Sequence, residues 1–253
     1  MSKNNILFGV IGLFAGLVIS FILTNALYHG ERDMTRETTT RSGEKRVDAG
    51  SADANSEDDS LASISEEEIR EAITKADARA DDIALQRNFG LALYQYATQT
   101  RDTRFLPDVA RFLKRAHDAD PKDHDLIVQL ADVLFSIGQS SDPASFIEAR
   151  TLYLKALEMK PDDPGVRARL GLTYYFGQPS DPQRAIVEYR KSLALDPRHE
   201  PALQNLASAL ITVGNYEEAQ KRIDELQKLN PSHEALPNLR AQLAQSRNAA
   251  AQE

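Results

Sequence analysis

The chain has 253 residues, 42% of them hydrophobic and 27% charged, and a formal net charge of -8. Because it has no cysteine, it cannot contain a disulfide scaffold, a thiol nucleophile, an iron–sulfur cluster or a cysteine-based zinc site. The chain has 38 acidic and 30 basic residues, and this acidic balance argues against a protein that mainly binds nucleic acid.

A short tail, residues 1–5, precedes an uncharged apolar run at residues 6–27. As a helix this run would be about 33 Å long, which matches the hydrocarbon core of a bilayer. We therefore predict a single-pass transmembrane helix at 6–27. The alternative is a cleaved signal peptide ending near Thr24-Asn25-Ala26, but the run is longer than the usual apolar region of such peptides.

Two features of this run bear on assembly and topology. Gly12 and Gly16 form a GxxxG pattern that would allow a helix dimer, although glycine is common in membrane helices in general. The basic residues after the run favour a cytoplasmic C-terminal part, whereas the very short N-terminal tail is typical of signal anchors that export the rest of the chain. We favour an extracytoplasmic (periplasmic) location for the remainder and keep the cytoplasmic side as the alternative.

Residues 28–64 are rich in polar and charged residues and poor in large aliphatic ones. Such a segment cannot bury enough apolar surface to offset the entropy lost on ordering, so we predict a disordered linker. An N-terminal helix is predicted at 65–81, because Ser65 stands three residues before Glu68, as in a capping box. From there on, apolar residues recur at helical spacing, which predicts helices throughout.

A repeat is visible in the spacing of four prolines that each follow a helical stretch, at 40, 36 and 34 residues: Pro121, Pro161, Pro197 and Pro231. Small residues recur on the first helix of each repeat (Gly90, Ala131, Gly171, Ala207) and on three of the second helices (Ala149, Ala185, Ala219). Large residues recur four positions after those second-helix alanines, at Tyr153, Tyr189 and Ile223. Each proline ends a helix because it cannot continue the hydrogen-bond ladder.

These residues and their period resemble the tetratricopeptide repeat (TPR). The resemblance implies an all-α fold, a right-handed solenoid of helical hairpins behind the membrane helix and the linker. It places four TPR-like repeats at 82–231, with a longer than usual interhelix segment from Gly138 to Ser145. A C-terminal capping helix and tail follow at 232–253, with Leu236, Leu239 and Leu243 on the docked face.

In a TPR solenoid the first helices line a concave groove, and one aromatic position per repeat gives a row of Tyr94, Phe135 and Tyr175. Rings, amides and guanidinium groups together suit an extended peptide or a partner helix, although the rings could equally complete packing between repeats. The full set of groove candidates is Arg87, Asn88, Leu91, Tyr94, Gln129, Asp132, Phe135, Arg169, Leu172, Tyr175, Gln204, Asn205 and Ser208.

The sequence contains no phosphate-binding glycine loop, nucleophile elbow or zinc-protease motif, and its five histidines lack metal-ligand spacing. We therefore predict a non-enzymatic protein without cofactor or metal: a membrane-anchored scaffold or adaptor that binds a peptide or partner protein and no nucleic acid. Two alternatives remain. An anchored TPR domain with a long insert resembles the assembly factors that hold apocytochrome during c-type cytochrome biogenesis, and the domain could also dock an enzyme or transport complex as an accessory subunit.

Overall fold

A computed structural model describes residues 65–252 and divides the chain into two compact units, Met1–Leu93 and Tyr94–Glu253. Three predicted segments lie outside the described residues: the tail at 1–5, the membrane span at 6–27 with Gly12 and Gly16, and the linker at 28–64. Within 65–252, no helix combines the length and the apolar character needed to cross a bilayer.

Residues 65–252 form ten α-helices and one short 3-10 helix, with no β-strand among them. In chain order the helices are α1 (Glu66–Asp77), α2 (Ile83–Thr100), the 3-10 helix (Thr103–Phe105), α3 (Leu106–Ala119), α4 (His124–Ser140), α5 (Ser145–Met159), α6 (Pro164–Phe176), α7 (Pro182–Leu195), α8 (Glu200–Thr212), α9 (Tyr216–Leu229) and α10 (Leu236–Ala250). The all-helical class predicted from the sequence is therefore found in this part of the chain.

The described part of the first unit begins with α1 and the predicted capping box. The Ser65 hydroxyl accepts the backbone N–H of Glu68, and the Glu68 carboxylate accepts the backbone N–H of Ser65 at 2.8 Å. Helix α1 ends at Asp77, four residues before the predicted boundary. The buried Gln86 side chain donates to the carbonyl oxygens of Ala76 and Arg79, so it satisfies backbone acceptors left free at the end of α1.

The second unit is a series of helices in which each one from α3 to α10 packs against the next. The first helices of successive hairpins also meet, because α4 contacts α6 and α6 contacts α8. Most of these helices begin at a polar cap, such as Asp123, Asp163, Asp181 or Asn215, whose side chain accepts a backbone N–H of the first turn.

Small residues allow the two helices of a hairpin to approach closely. Ala131, Ala149, Ala185, Ala207 and Ala219 are all fully buried. Gly171 is the tightest case: a Cβ atom there would lie 2.5 Å from Cε1 of the Tyr189 ring. Glycine is therefore required at 171 because the facing ring occupies the space of a side chain.

Two further boundaries differ from the sequence-based expectation. Helix α4 continues through Gly138 to Ser140, so the long interhelix segment predicted from Gly138 to Ser145 shrinks to residues 141–144. A Cβ at Gly138 would lie 2.8 Å from the Phe146 ring, so this glycine serves close packing within a helix. The capping helix α10 starts at Leu236, four residues later than expected. Its buried residues are the predicted ones, Leu236, Leu239 and Leu243.

Candidate groove on the first helices

The predicted groove residues fall into two groups because the two units divide α2. Arg87, Asn88 and Leu91 belong to the first unit, where Asn88 is exposed and the other two are partly buried. The remaining residues belong to the second unit and form the candidate site: Tyr94 on α2; Gln129, Asp132 and Phe135 on α4; Arg169, Leu172 and Tyr175 on α6; Gln204, Asn205 and Ser208 on α8.

None of these ten second-unit residues is fully buried, whereas several residues next to them in sequence are. On α4, for example, Leu130 and Ala131 are buried while Gln129 and Asp132 keep solvent contact. This alternation follows from the 3.6-residue period, which turns one stripe of each first helix to the core and the next to the outside. We call the accessible stripe of α4, α6 and α8 the groove face.

A polar cluster centres on the half-buried carboxylate of Asp132. The Tyr153 hydroxyl on α5 donates to Asp132 Oδ1 at 2.6 Å, and Arg169 Nε on α6 lies 3.4 Å from the same oxygen. The Ser136 hydroxyl donates to the Asp132 carbonyl and lies 3.4 Å from the Tyr94 hydroxyl. Burial raises the pKa of the Asp132 carboxyl, and the Arg169 guanidinium and the Tyr153 hydroxyl partly oppose that rise. The Asp132 carboxylate thus links α4 with α5 and with the next repeat, and Ser136 links α4 with Tyr94 on α2.

The same positions carry different chemistry in the next repeat. Asp132 follows the small residue Ala131, and the equivalent residue after Gly171 is Leu172. Tyr189 is the equivalent of Tyr153, and its hydroxyl is buried without a hydrogen-bond partner among the described residues. Burial raises the pKa of this hydroxyl far above its usual range. An orphaned hydroxyl is the physical consequence of replacing a carboxylate by a leucine.

Each member of the predicted aromatic row contacts the next repeat. The Tyr94 hydroxyl meets Ser136, and the Tyr175 hydroxyl lies 2.9 Å from the Thr212 hydroxyl. Between them, the Phe135 and Phe176 rings form an edge-to-face pair with centroids 6.2 Å apart. The rings therefore contribute to packing between repeats, and they remain partly exposed while doing so.

Phe176 is the main groove residue that the sequence reasoning missed. Its ring is 45% exposed and contacts Tyr175 edge-to-face at 5.1 Å, next to the pair of Phe135 with Phe146 at 5.3 Å. The signal was available, because the equivalent positions are Ser136 and Thr212 and only this repeat has a large apolar residue there. We call Phe135, Tyr175 and Phe176 the aromatic cluster.

A second missed residue, Arg150 on α5, contacts the end of α6 that carries Tyr175 and Phe176. Its Nη2 donates to the Thr173 carbonyl oxygen at 2.6 Å, and its guanidinium lies 4.2 Å from the centroid of the Tyr174 ring. A cation at a helix C-terminus satisfies a free carbonyl and interacts favourably with the helix dipole. Arg150 therefore stabilises the helix end on which Tyr175 and Phe176 lie.

Within residues 65–252 there is no group of three or more histidine, aspartate or glutamate side chains arranged to hold a metal ion. The groove face offers rings, amides, hydroxyls and one ion pair.

Comparison with known proteins agrees with the repeat interpretation. Residues 178–243 match the tetratricopeptide repeat family model. No curated protein sequence matches the chain. Among solved structures, YrrB, described as a TPR protein with an unusual peptide-binding site, is 17% identical with a TM-score of 0.53, over 69% of this chain and 84% of its own.

Two MamA structures are similar to the same degree. One MamA crystal structure is 17% identical with a TM-score of 0.52, over 65% of this chain and 90% of its own. MamA 41-end from Desulfovibrio magneticus RS-1 is 17% identical with a TM-score of 0.51, over 66% of this chain and 88% of its own. At these identities the likeness concerns the fold. The described part of the chain thus has a helical-repeat fold of the TPR type, with the tetratricopeptide repeat itself matched at residues 178–243.

Proposed function

We propose that this chain is a non-enzymatic scaffold that binds a peptide or a partner protein on its groove face. The observation that carries the proposal is the exposed aromatic cluster, above all the 45% exposed ring of Phe176. An apolar ring of this size on a first helix, where the other repeats have a polar residue (Gln95, Ser136 or Thr212), is costly in water and becomes favourable when a partner covers it.

A positively charged side chain, Arg169, lies on the same face of α6. Arg169, Leu172 and Phe176 follow one another at helical spacing and so share one face. The Arg169 side chain is 45% exposed and contacts Asp132 at the long distance of 3.4 Å, so an acidic group of a partner can reach it. Aromatic and arginine side chains are the types most often found at binding hot spots.

The fold likeness to YrrB supports this proposal, since that protein is described by its peptide-binding site. It supports the class of ligand and does not extend to individual contacts. The groove face here is instead argued from its own residues, whose exposure and ring contacts favour an extended peptide or an amphipathic helix.

The test is quantitative capture of partners by the full-length chain and by two variants. Phe176→Ala should lower the amount of captured partner at least fivefold, because removing a hot-spot ring costs about 1–2 kcal/mol of binding. Leu154→Ala is the matched control, because Leu154 is 43% exposed on the second helix α5 and lies away from the groove face. Circular dichroism should show equal helicity in all three proteins.

Equal capture by Phe176→Ala and the unchanged chain would contradict a groove-bound partner. Loss of capture only in Leu154→Ala would move the interface to the second helices.

We further propose that residues 6–27 form a single-pass anchor with the repeat domain on the extracytoplasmic side. The support for the anchor is the uncharged apolar run itself. Resistance of the full-length chain to alkaline extraction from membranes tests the anchor. If protease added to spheroplasts digests the repeat domain, the extracytoplasmic location is supported. If the repeat domain is protected, it lies on the cytoplasmic side.

A further inference from the structure

Three large apolar side chains lie exposed on the second helices α5 and α7. Ile147 is 58% and Leu154 is 43% exposed on α5, and Val187 is 46% exposed on α7. Ile147, Thr151 and Leu154 follow at spacings of four and three residues, so they share one face of α5. Val187 stands 36 residues after Thr151, which is the length of this repeat, so it lies at the equivalent position of α7. The exposed apolar residues therefore occupy equivalent faces of two successive second helices.

The other second helices have charged residues on this face. The residues equivalent to Thr151 and Leu154 are Arg111 and Lys114 on α3, and Lys221 and Asp224 on α9. Charged side chains suit a surface that stays in water, whereas a group of exposed apolar side chains marks a surface that a partner covers. A covered surface is therefore indicated on α5 and α7 and not on α3 or α9.

The exposed charges beside these apolar residues have opposite signs on the two helices. On α5 they are Glu148 and Glu158, and neither has an ion-pair or hydrogen-bond partner among the described side chains. On α7 the one acidic residue, Glu188, is buried. The exposed charges of α7 are all basic, and each keeps at least half of its side chain exposed beside its own intrachain carboxylate: Arg184, Arg190 and Lys191.

We propose that this surface pairs with the same surface of a second copy of the chain. We call it the outer stripe, and it consists of Ile147, Glu148, Thr151, Leu154 and Glu158 on α5 with Arg184, Val187, Arg190 and Lys191 on α7. A twofold axis parallel to the helices places α5 of one copy against α7 of its partner, in the same direction and at the same level. Val187 then lies opposite the partner's Thr151, between the partner's Ile147 and the partner's Leu154.

The same arrangement brings opposite charges together. Glu148 lies at the level of the partner's Arg184, because these two residues are also 36 positions apart. Glu158 lies three residues, or about 4.5 Å along the helix axis, beyond the level of the partner's Lys191, whose long side chain spans that distance. Pairing α5 with α5 would oppose two acidic faces, and pairing α7 with α7 would oppose two basic ones. The charges therefore favour α5 against α7, which a twofold axis repeats and closes as a dimer.

Crosslinking between two differently tagged full-length chains tests this pairing, because the chain has no cysteine of its own. One chain carries Thr151→Cys and the other Val187→Cys; both are co-expressed, and a short bismaleimide is added to gently lysed cells. The mixed pair should give at least fivefold more covalent dimer than either variant alone. The matched control is the mixed pair of Lys114→Cys and Asp224→Cys, on the exposed faces of α3 and α9, which should give no more dimer than the single variants.

Two outcomes of this experiment would overturn the proposal. Equal dimer from Thr151→Cys alone and from the mixed pair would mean that α5 faces α5. A mixed pair that gives no more dimer than the control pair would mean that the outer stripe does not join two copies of the chain.

Charge exchange tests the ion pair in the same assay. Arg184→Glu and Glu148→Arg should each lower the yield of the mixed pair at least fivefold, because each places like charges opposite one another. The double variant Glu148→Arg with Arg184→Glu should return the yield to within twofold, with equal helicity by circular dichroism throughout. A double variant that stays low would overturn the assigned contact. Phe176→Ala should leave the yield unchanged, which separates the outer stripe from the groove face.

Discussion

Two tyrosines at equivalent positions should respond in opposite directions to the same substitution. Tyr153 and Tyr189 each stand four residues after a buried alanine on the second helix of a hairpin, and each is at most 1% exposed. The Tyr153 hydroxyl donates to Asp132 at 2.6 Å, whereas the Tyr189 hydroxyl has no partner among the described residues. Changing either one to phenylalanine removes a single oxygen atom.

The magnitudes follow from what each hydroxyl contributes. A hydrogen bond to a charged acceptor is worth about 1.5–3 kcal/mol, so Tyr153→Phe should lower the free energy of unfolding by about 2 kcal/mol. A buried hydroxyl without a partner costs about 1–3 kcal/mol, so Tyr189→Phe should raise the free energy of unfolding by about 1 kcal/mol. The two variants should therefore differ by about 3 kcal/mol, or about 6–12 °C in melting temperature for a domain of this size.

Urea unfolding of the full-length chain at pH 7, followed by circular dichroism, measures both values. A further variant checks the cause: Leu172→Asn places an acceptor where Asp132 stands one repeat earlier, so the benefit of Tyr189→Phe should vanish in that background. Equal destabilisation by Tyr153→Phe and Tyr189→Phe would refute the reasoning, since it would mean that both hydroxyls are bonded in the folded chain.

Three further predictions concern stability. Gly171→Ala should lower the free energy of unfolding by about 1–3 kcal/mol, because its Cβ would press into the Tyr189 ring, and thermal melts measure this loss. Burial lowers the pKa of His199, whose Nδ1 caps α8 by accepting the Ala202 N–H at 3.2 Å. The stability that this neutral imidazole contributes is present above the unfolded-state pKa of about 6.5 and lost as pH falls through the folded-state value, so urea midpoints should drop below pH 6. The change His199→Asn, which keeps a cap acceptor, should flatten that drop. Burial raises the pKa of Asp132, so the protonation-linked stability of this group is present below its unfolded-state pKa of about 3.9 and is lost as pH rises through the folded-state value. Asp132→Asn, whose amide oxygen can still accept from Tyr153, should remove this pH dependence, which urea midpoints between pH 3 and pH 7 measure.

The sequence was sufficient to predict most of the architecture in the described region. Pro161, Pro197 and Pro231 end up just after helices, and the alanines expected between paired helices are fully buried. Helix ends were harder to predict. Gly138 resembles a helix terminator, but its missing Cβ makes room for Phe146, and that ring comes from the following helix. A glycine that serves packing cannot be told from one that serves a turn without the neighbouring element.

The candidate groove was predictable as a set of positions and less so as a set of contacts. Helical period assigned Gln129, Asp132 and Phe135 to one accessible stripe, which is where they lie. The hydrogen bond from the Tyr153 hydroxyl on α5 to the Asp132 carboxylate on α4 was not predictable, because Tyr153 has the spacing of an ordinary core residue. Phe176 was missed for a related reason, since it stands at the last residue of α6, where periodic patterns give the least information.

The arrangement of charge and rings on α6 constrains the kind of partner that fits. Arg169 and Phe176 are seven residues apart on one face, which places them about 10 Å apart along the helix axis. An extended peptide covers that distance in about three residues. A peptide running along α6 therefore satisfies both groups when an acidic residue and a large apolar residue are three positions apart. Arg169→Glu should then weaken binding of such a peptide, and exchanging the acidic residue for lysine should restore it. Restored binding would show that this peptide residue faces position 169. Failure of the lysine peptide to recover binding would mean that the acidic residue contacts another part of the groove face.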